Sequence, residues 1–255
     1  MTAPSPLPRI ARFESQAYGM FIHWGLYSQL GKGEWIKHLV KIPFDQYDKL
    51  ETTFTAEEFD GRAIARLARE SGMKYIVLTT RHHEGFSLYD TRGLSVHDAP
   101  HTPAGRDLVA EFVAGCRAEE VIPFFYHTTL DWRWETQTCD QSRFDEYLDY
   151  LHASVEILCK HYGPIGGLWF DGNWSRQADW KEDRLYHIIR SHQPEAIIIN
   201  NTGIGSEGKL GHPEIDSVTF EQSLPKPMNR EGWPKYISGE MCQTMNGHWG
   251  IGAND

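Results

Sequence analysis

The sequence predicts an α/β fold, a (β/α)8-like barrel of the TIM type that is incomplete at its C-terminus. Three observations predict it. Short apolar runs alternate with longer amphipathic ones, which is typical of parallel β/α units. The apolar runs are nearly continuous, as expected for strands covered on both faces. Polar residues stand at the ends of these runs, and a barrel brings the carboxyl ends of its strands to one mouth.

Seven apolar runs are predicted as strands. In chain order they are YGMFIHWG (18–25), KYIVLTTRHH (74–83), VIPFFYHTTL (121–130), IGGLWFDG (165–172), AIIINNTG (196–203), DSVTFEQ (216–222) and KYISGEMC (235–242). No GxGxxG motif or P-loop follows any of them, which disfavours an open nucleotide-binding sheet. A closed barrel of this type needs eight strands. We therefore expect the eighth either within residues 31–54 or 203–215, or in a part of the barrel that this chain lacks.

Four amphipathic segments between these runs are predicted as helices. The first covers residues 55–72: Thr55 and Glu58 have the spacing of a capping box at its start, and Gly72 ends it. The other three segments are 105–120, 142–163 and 180–193.

Composition limits the partners and the location of the protein. The formal net charge is −10 and no basic run occurs, which argues against nucleic acid or an anionic membrane as the main partner. No apolar stretch has the length of a signal peptide core or a bilayer span, so we expect a soluble, cytoplasmic protein, or a secreted one if a leader was removed. The cysteines form no CxxC pair and indicate neither a zinc ribbon nor a disulfide framework. They are Cys116, Cys139, Cys159 and Cys242.

Four histidines stand at predicted strand ends, namely His23, His82, His83 and His127. Three imidazoles could hold a metal ion, but the first strand lacks the His-x-His pair that many metal-dependent barrel hydrolases carry there. Neutral imidazoles also suit hydrogen bonding to polyol hydroxyls, which we favour over metal binding and over a purely structural role. Neighbours on a regular strand point to opposite faces, so His82 and His83 can share a site only beyond the strand end.

Asp171 in GGLWFDGNW is the first candidate catalytic carboxylate. An Asp-Gly pair after a strand is also a common turn. The surrounding Trp169, Phe170 and Trp174 favour a pocket, because aromatic rings pack against the apolar faces of sugars. Hydrolysis of a glycosidic bond needs a second carboxyl group. Glu221 and Glu240, at the ends of later runs, are the candidates, and Glu34 and Glu84 are further acids near the same rim.

Six ordered motifs resemble those of retaining α-L-fucosidases of glycoside hydrolase family 29. The resemblance extends from about Phe13 to Gly250. The motifs are GMFIHWGLYS, GEW, YIVLTTRHHEGFSLYDT, GRDLVAEFV with a following CR, GGLWFDG and EMCQTMNGHWG.

The resemblance implies a catalytic barrel with neither metal nor organic cofactor, in which Asp171 is the nucleophile. It also implies that residues of the first loop and of the strand ends hold the fucose hydroxyls. For the acid/base we favour Glu221, which follows Asp171 in the expected region, with Glu240 as the second choice. With the strand-end residues included, the predicted substrate-binding set is His23, Glu34, Trp35, His82, His83, Tyr126, His127 and Trp169.

The sequence is thus interpreted as an exo-acting retaining α-L-fucosidase that acts on fucosylated oligosaccharides or glycoconjugates. Residues 1–12 are predicted as a proline-containing arm and residues 13–255 as the barrel. We expect the barrel to lack its last β/α unit or units and any C-terminal β-sandwich, and a homo-oligomer to cover its open edge. A catalytically silent fucose-binding barrel and a metal-dependent hydrolase that uses the histidines are the alternatives.

Overall fold

Seven parallel strands, hydrogen-bonded in chain order, form the sheet of the computed structural model, which describes residues 4–228 and 232–253. The strands are β1 (Gly19–Ile22), β2 (Tyr75–Arg81), β3 (Ile122–Thr128), β4 (Gly167–Asp171), β5 (Ile197–Asn201), β6 (Ser217–Glu221) and β7 (Ser238–Cys242). Each predicted run contains one of them, so the strand predictions are confirmed. Residues 31–54 and 203–215, all described, contain no strand, so neither hides the eighth strand.

The sheet is curled, because side chains of strands that are not neighbours meet across its inner face. Phe21 of β1 packs edge-on against Trp169 of β4, with ring centroids 5.2 Å apart. The indole of Trp169 also donates a hydrogen bond to Glu240 of β7. In the described part of the chain β1 and β7 do not pair with each other. The fold is therefore a (β/α) barrel left open between its first and last strands.

The described part of the chain contains seven α-helices. They are α1 (Pro8–Gln16), α2 (Ile36–Leu39), α3 (Phe44–Tyr47), α4 (Gly61–Glu70), α5 (Leu108–Ala118), α6 (Gln141–His161) and α7 (Glu182–His192), with short 3₁₀ turns at Leu26–Leu30, Asp48–Thr53, Ala99–His101 and Asn173–Ser175. The last four helices match the four predicted segments, and α6 begins one residue before its segment. None of the described helices combines the length and the apolar character that a bilayer span requires.

The first of these four helices begins later than predicted. Its N-cap is Asp60, whose carboxylate accepts hydrogen bonds from the backbone of the first turn, and not Thr55 of the apparent capping box. Residues before Asp60 form a turn that places Phe59 flat on Trp24, with parallel rings 4.8 Å apart. Stacking of this aromatic pair outweighs one additional helical turn.

Helix α1 packs against the inner side of the barrel. Its Ile10 and Phe13 are buried, and the Phe13 ring contacts the rings of Tyr75 and Phe124. The helix begins inside the segment that was predicted as an arm and continues into the predicted barrel domain. Apolar side chains thus fill this part of the interior and leave the opposite end, where the strands finish, to polar residues.

Candidate active site

A cavity of about 680 Å³ opens at the carboxyl ends of the strands. This volume is within the usual range for a site that holds a small ligand. Most of the residues predicted for catalysis or substrate binding line it. They are His23, Glu34, Trp35, His82, Tyr126, Trp169, Asp171 and Glu221.

Asp171 is the last residue of β4, and the backbone that follows it turns sharply. Gly172 has a φ of +113°, and a Cβ atom at this position would lie 2.4 Å from the backbone nitrogen of Leu130. Only glycine fits both restrictions. The Asp-Gly pair is therefore a turn as well as part of the cavity, and the turn aims the carboxylate at the cavity.

Both oxygens of Asp171 are held by donors. Trp174 Nε1 and Asn201 Nδ2 donate to Oδ1 at 2.8 and 3.1 Å, and Tyr126 Oη donates to Oδ2 at 3.0 Å. His83 Nε2 lies 3.4 Å from Oδ2. Burial acts to raise the pKa of Asp171, but these hydrogen bonds favour the charged form and hold the pKa below its usual value. The group is an ionised carboxylate at neutral pH.

Glu221 is the last residue of β6 and lies beside Asp171. The same Asn201 Nδ2 atom donates to Glu221 Oε2 at 2.8 Å, and Trp249 Nε1 donates to Oε1 at 3.1 Å. Two oxygens bound to one nitrogen are at most about 6 Å apart, close to the carboxyl spacing of about 5–5.5 Å in retaining glycosidases. Burial and the charge of Asp171 raise the pKa of Glu221, which favours its protonated form.

Glu240 occupies a different level of the barrel. In the pairing of β6 with β7, Glu221 is opposite Cys242, and Glu240 is opposite Thr219, two residues deeper. Its carboxyl group accepts a hydrogen bond of 2.8 Å from Trp169 Nε1, and burial raises its pKa to about 7. It does not line the cavity. Glu240 thus supports the aromatic floor of the cavity from below.

The rings of three histidines pack against one another at the floor, where His23 and His82 line the cavity and the predicted His83 does not. The His23 ring lies 5.4 Å from that of His82, and the His82 and His83 rings are 4.2 Å apart. Because β2 ends at Arg81, both members of the His-His pair lie beyond the strand end, as predicted. Burial lowers the pKa of His23 to about 3 and the pKa of His82 well below its usual value. Both imidazoles are neutral hydrogen-bonding groups at physiological pH.

The first loop contributes Glu34 and Trp35 to the cavity wall. Glu34 is 5% exposed and accepts a hydrogen bond of 2.8 Å from the backbone N–H of Gly250, which joins the second and the last of the six motifs. Trp35 packs edge-on against His83 and Trp132, both at 5.3 Å between ring centroids. Residues far apart in the chain therefore fix one wall of the site.

His127 is not in the cavity, which corrects its predicted role in substrate binding. Its neighbour Tyr126 points into the barrel, so His127 points outwards, towards α6. There its Nδ1–H donates to the backbone oxygen of Thr128 at 2.8 Å, and Nε2 lies 3.3 Å from Ser154 Oγ. The residue is fully buried between sheet and helix, and its role is structural.

Three residues with direct contacts to the carboxylates were not predicted as site residues: Trp174, Asn201 and Trp249. The position of Asn201 at a strand end and of Trp249 within a motif could have indicated the last two. Nothing in the local sequence shows that Asn201 contacts both carboxylates, since that contact depends on the positions of three different strands.

The strand-end histidines do not assemble a metal-binding group in the described part of the chain. The group of three potential ligands found there is Asp48, Glu51 and His97, away from the carboxylates. Arg133 already forms an ion pair with Asp48 at 2.8 Å. The geometry of the cavity therefore favours hydrogen bonding to hydroxyls over metal chemistry.

Comparison with known sequences gives a consistent result. Residues 5–255 match the family model described as alpha-L-fucosidase. The chain is 31% identical over 282 residues to an alpha-L-fucosidase of Branchiostoma floridae, a match that covers 96% of this chain and 58% of that protein. It is 26% identical to a putative alpha-L-fucosidase of Caenorhabditis elegans, with 96% and 53% covered. The chain thus spans little more than half the length of these curated relatives.

Solved structures agree with the sequence matches. The structure is similar to alpha-L-fucosidase isoenzyme 1 from Paenibacillus thiaminolyticus, with a TM-score of 0.85 and 36% identity over 97% of this chain and 63% of that one. An alpha-L-fucosidase from Lactobacillus casei, determined in complex with alpha-L-fucose product, gives a TM-score of 0.81 and 26% identity. That match covers 98% of this chain and 83% of the other.

Proposed function

This chain belongs to the alpha-L-fucosidase family, and we propose that it hydrolyses terminal α-L-fucosyl residues with retention of anomeric configuration. The proposed substrates are fucosylated oligosaccharides or glycoconjugates. The observation that carries the proposal is the pair formed by Asp171 and Glu221, which share the amide of Asn201. Their pKa values are shifted in opposite directions, as a nucleophile and a general acid require.

In the first step, Asp171 attacks C1 of the fucosyl unit while the bond from C1 to the leaving oxygen breaks. The protonated Glu221 donates its proton to that oxygen, so the leaving sugar departs as a neutral alcohol. The product at this stage is a covalent fucosyl-enzyme. Two inversions at C1 are needed for retention, and this step is the first.

In the second step, the now ionised Glu221 removes a proton from a water molecule, which attacks C1 as the bond to Asp171 breaks. Fucose leaves with its original configuration, Asp171 is ionised again and Glu221 is reprotonated. The neutral His23 and His82 on the floor, with Glu34 on the wall, are placed to bind the sugar hydroxyls. The aromatic floor suits the C6 methyl group and the apolar face of fucose.

The test is to follow the hydrolysis of an aryl α-L-fucoside by proton NMR. We expect α-L-fucose to appear first and the β-anomer only later, through mutarotation. Initial release of β-L-fucose would overturn the retaining mechanism. Binding of fucose without turnover by freshly purified protein would favour a silent fucose-binding barrel. Activity that is lost in a chelator and restored by metal would favour the metal-dependent alternative.

The homo-oligomer and the cytoplasmic location stay predictions. In the described part of the chain, β1 and β7 are the two strands that lack a second neighbour in the sheet. A second copy that covers this opening would give a dimeric mass in multi-angle light scattering, and a monomeric mass at all concentrations would contradict it.

A further inference from the structure

Trp174 links the nucleophile to the mouth of the cavity. It lies in the 3₁₀ turn that follows β4, three residues after Asp171. Its indole N–H donates to Asp171 Oδ1 at 2.8 Å, yet 42% of the side chain is exposed. The other aromatic rings on the floor, such as those of Tyr126 and Trp169, are almost fully buried. Trp174 is therefore in contact with both the reacting carboxylate and solvent.

The Trp174 ring is held in place although it is exposed. Gly203 has a φ of +89°, and a Cβ atom on this residue would lie 3.0 Å from Cγ of Trp174. The backbone at Gly203 thus packs closely against one part of the ring, and the hydrogen bond to Asp171 holds its N–H edge. Single exposed apolar residues are common on protein surfaces. A ring fixed at two points beside a reacting group is a binding surface that is already ordered.

The direction in which a substrate must enter decides what this surface contacts. The floor of the cavity is buried and carries the groups suited to fucose, such as His82 and Trp169. A terminal fucosyl unit bound there has its leaving group directed towards the mouth. Trp174 and the 77% exposed Ile204 line the cavity at that side. The leaving group therefore meets an aromatic ring and an aliphatic side chain.

We propose that Trp174 binds the leaving-group sugar on its exposed ring face and positions Asp171 through its indole N–H. This inference rests on the proposed fucosidase activity. The leaving group that fits is a pyranose with an apolar C–H face, such as glucose or N-acetylglucosamine, because stacking on an aromatic ring requires that face. A charged or strongly hydrated leaving group would gain nothing from this contact.

Two substitutions separate the two roles. Trp174→Phe keeps an aromatic ring face and removes the N–H that donates to Asp171. Trp174→Gln removes the ring face and keeps a side-chain N–H that can extend towards Asp171. The substrates are α-L-fucosyl fluoride, whose leaving group offers no surface, and the best-cleaved of a panel of fucosyl-glucose and fucosyl-N-acetylglucosamine disaccharides. Val96→Ala, at an exposed position away from the cavity, is the matched control and should behave as the wild type.

For Trp174→Phe we expect kcat/KM to fall about tenfold on both substrates, since a hydrogen bond to a charged group is lost, with their ratio unchanged. For Trp174→Gln we expect the ratio of disaccharide to fluoride kcat/KM to fall about fivefold, mainly through KM of the disaccharide. An unchanged ratio in the Gln variant, or full activity of the Phe variant on the fluoride, would overturn the proposal. Thermal unfolding of each variant checks that the fold is intact.

A binding measurement tests the same surface without turnover. By calorimetry, a sulfur-linked fucosyl disaccharide that resists hydrolysis should bind the wild type more tightly than fucose does. In Trp174→Gln the ratio of the two affinities should be about fivefold smaller. If the disaccharide binds no more tightly than fucose, the leaving-group surface does not exist. If wild-type protein binds as expected but does not cleave fucosyl fluoride, the proposed hydrolase function fails and this surface stands.

Discussion

Asp171 and Asp216 lie at opposite ends of the same barrel wall, and they differ in the kind of partner they have. Asp216 lies just before β6 and is fully buried. Arg9 and Lys235 contact its Oδ1 at 3.0 and 3.1 Å, and Arg190 contacts Oδ2 at 2.6 Å. Asp171 accepts hydrogen bonds from Tyr126, Trp174 and Asn201, lies 3.4 Å from His83 Nε2 and borders the cavity.

The difference shows that the groups around an aspartate decide whether its charge stabilises the fold or is available at the cavity. Three cations neutralise Asp216 and connect α1, α7 and the segment before β7, so its charge stabilises the structure. The hydrogen-bond donors around Asp171 keep it ionised, and its carboxylate borders the cavity, so its charge is available to a positive centre that develops there. In barrels of this type, chemistry belongs to the carboxyl ends of the strands and stability to the other end.

The largest expected effect that would test this contrast is on catalysis at Asp171. Asp171→Asn should lower kcat on an aryl α-L-fucoside by about 10⁴-fold, because the nucleophile is lost. The denaturation midpoint should stay close to that of the wild type, since the amide can keep several of the hydrogen bonds. Substantial activity in this variant, after contamination by wild type is excluded, would show that Asp171 is not the nucleophile.

A second prediction concerns the two glutamates at the ends of β6 and β7. The Glu221→Ala substitution should lower activity about 10²–10⁴-fold on substrates with poor leaving groups. Azide should restore turnover on a substrate with a good leaving group and yield a β-fucosyl azide. Glu240→Ala is the matched control, because Glu240 contacts Trp169 and not the cavity. Rescue of the Glu240 variant in place of the Glu221 variant would reverse the assignment.

The pH dependence of activity also tests the assignment of Glu221 as the acid/base. The raised pKa of Glu221 means that the acid stays protonated to a higher pH than an ordinary glutamate. Activity of the wild type should fall as the pH rises through that pKa, because the proton donor is lost. The activity of the Glu221→Ala variant in azide should not show this fall at alkaline pH.

The smallest expected effect is on stability at Asp216. Asp216→Asn should lower the free energy of unfolding by about 3 kcal/mol, because three cations lose their common partner, while kcat of the folded protein is retained. Urea denaturation measures the first quantity and an aryl fucoside assay the second. Loss of kcat in a variant that remains folded would show that the two ends of the barrel are not separate.

Asp216 also makes the stability depend on pH in a defined direction. Burial acts to raise the pKa of Asp216, but hydrogen bonding and ion pairing with Arg9, Arg190 and Lys235 hold it below the usual value. Its contribution is therefore present above the pKa of an unfolded aspartate, about 4, and is lost as pH falls through the lower folded value. The Asp216→Asn variant should lose less stability than the wild type over that acidic range.

Much of the barrel could be predicted from the sequence because burial on both faces requires continuous apolar runs. Those runs predicted the seven strands, and the aromatic residues around Asp171 identified the catalytic candidate. The start of α4 was predicted wrongly, since Thr55 and Glu58 have capping-box spacing but the contact between Phe59 and Trp24 prevails. Helix propensity near a helix end is weak compared with the stacking of an aromatic pair.

The sequence indicated candidate residues for the site but not how they are arranged. His127 stands at a strand end like Tyr126, yet adjacent positions face opposite sides of the sheet, and only Tyr126 reaches the cavity. Glu221 and Glu240 are alike as sequence features. The pairing of β6 with β7 places one at the mouth and the other two residues deeper.

By itself, the sequence determined the alternation of strands and helices, the residues available at the strand ends and the motifs of the family. These properties are local, because they depend on residue type and spacing within a few turns or one strand. Only the tertiary structure decided that Asn201 contacts both carboxylates, that three cations contact Asp216 and that Trp174 joins Asp171 to the mouth of the cavity. Each of these depends on strand register and on contacts between distant segments, which no single stretch of sequence encodes.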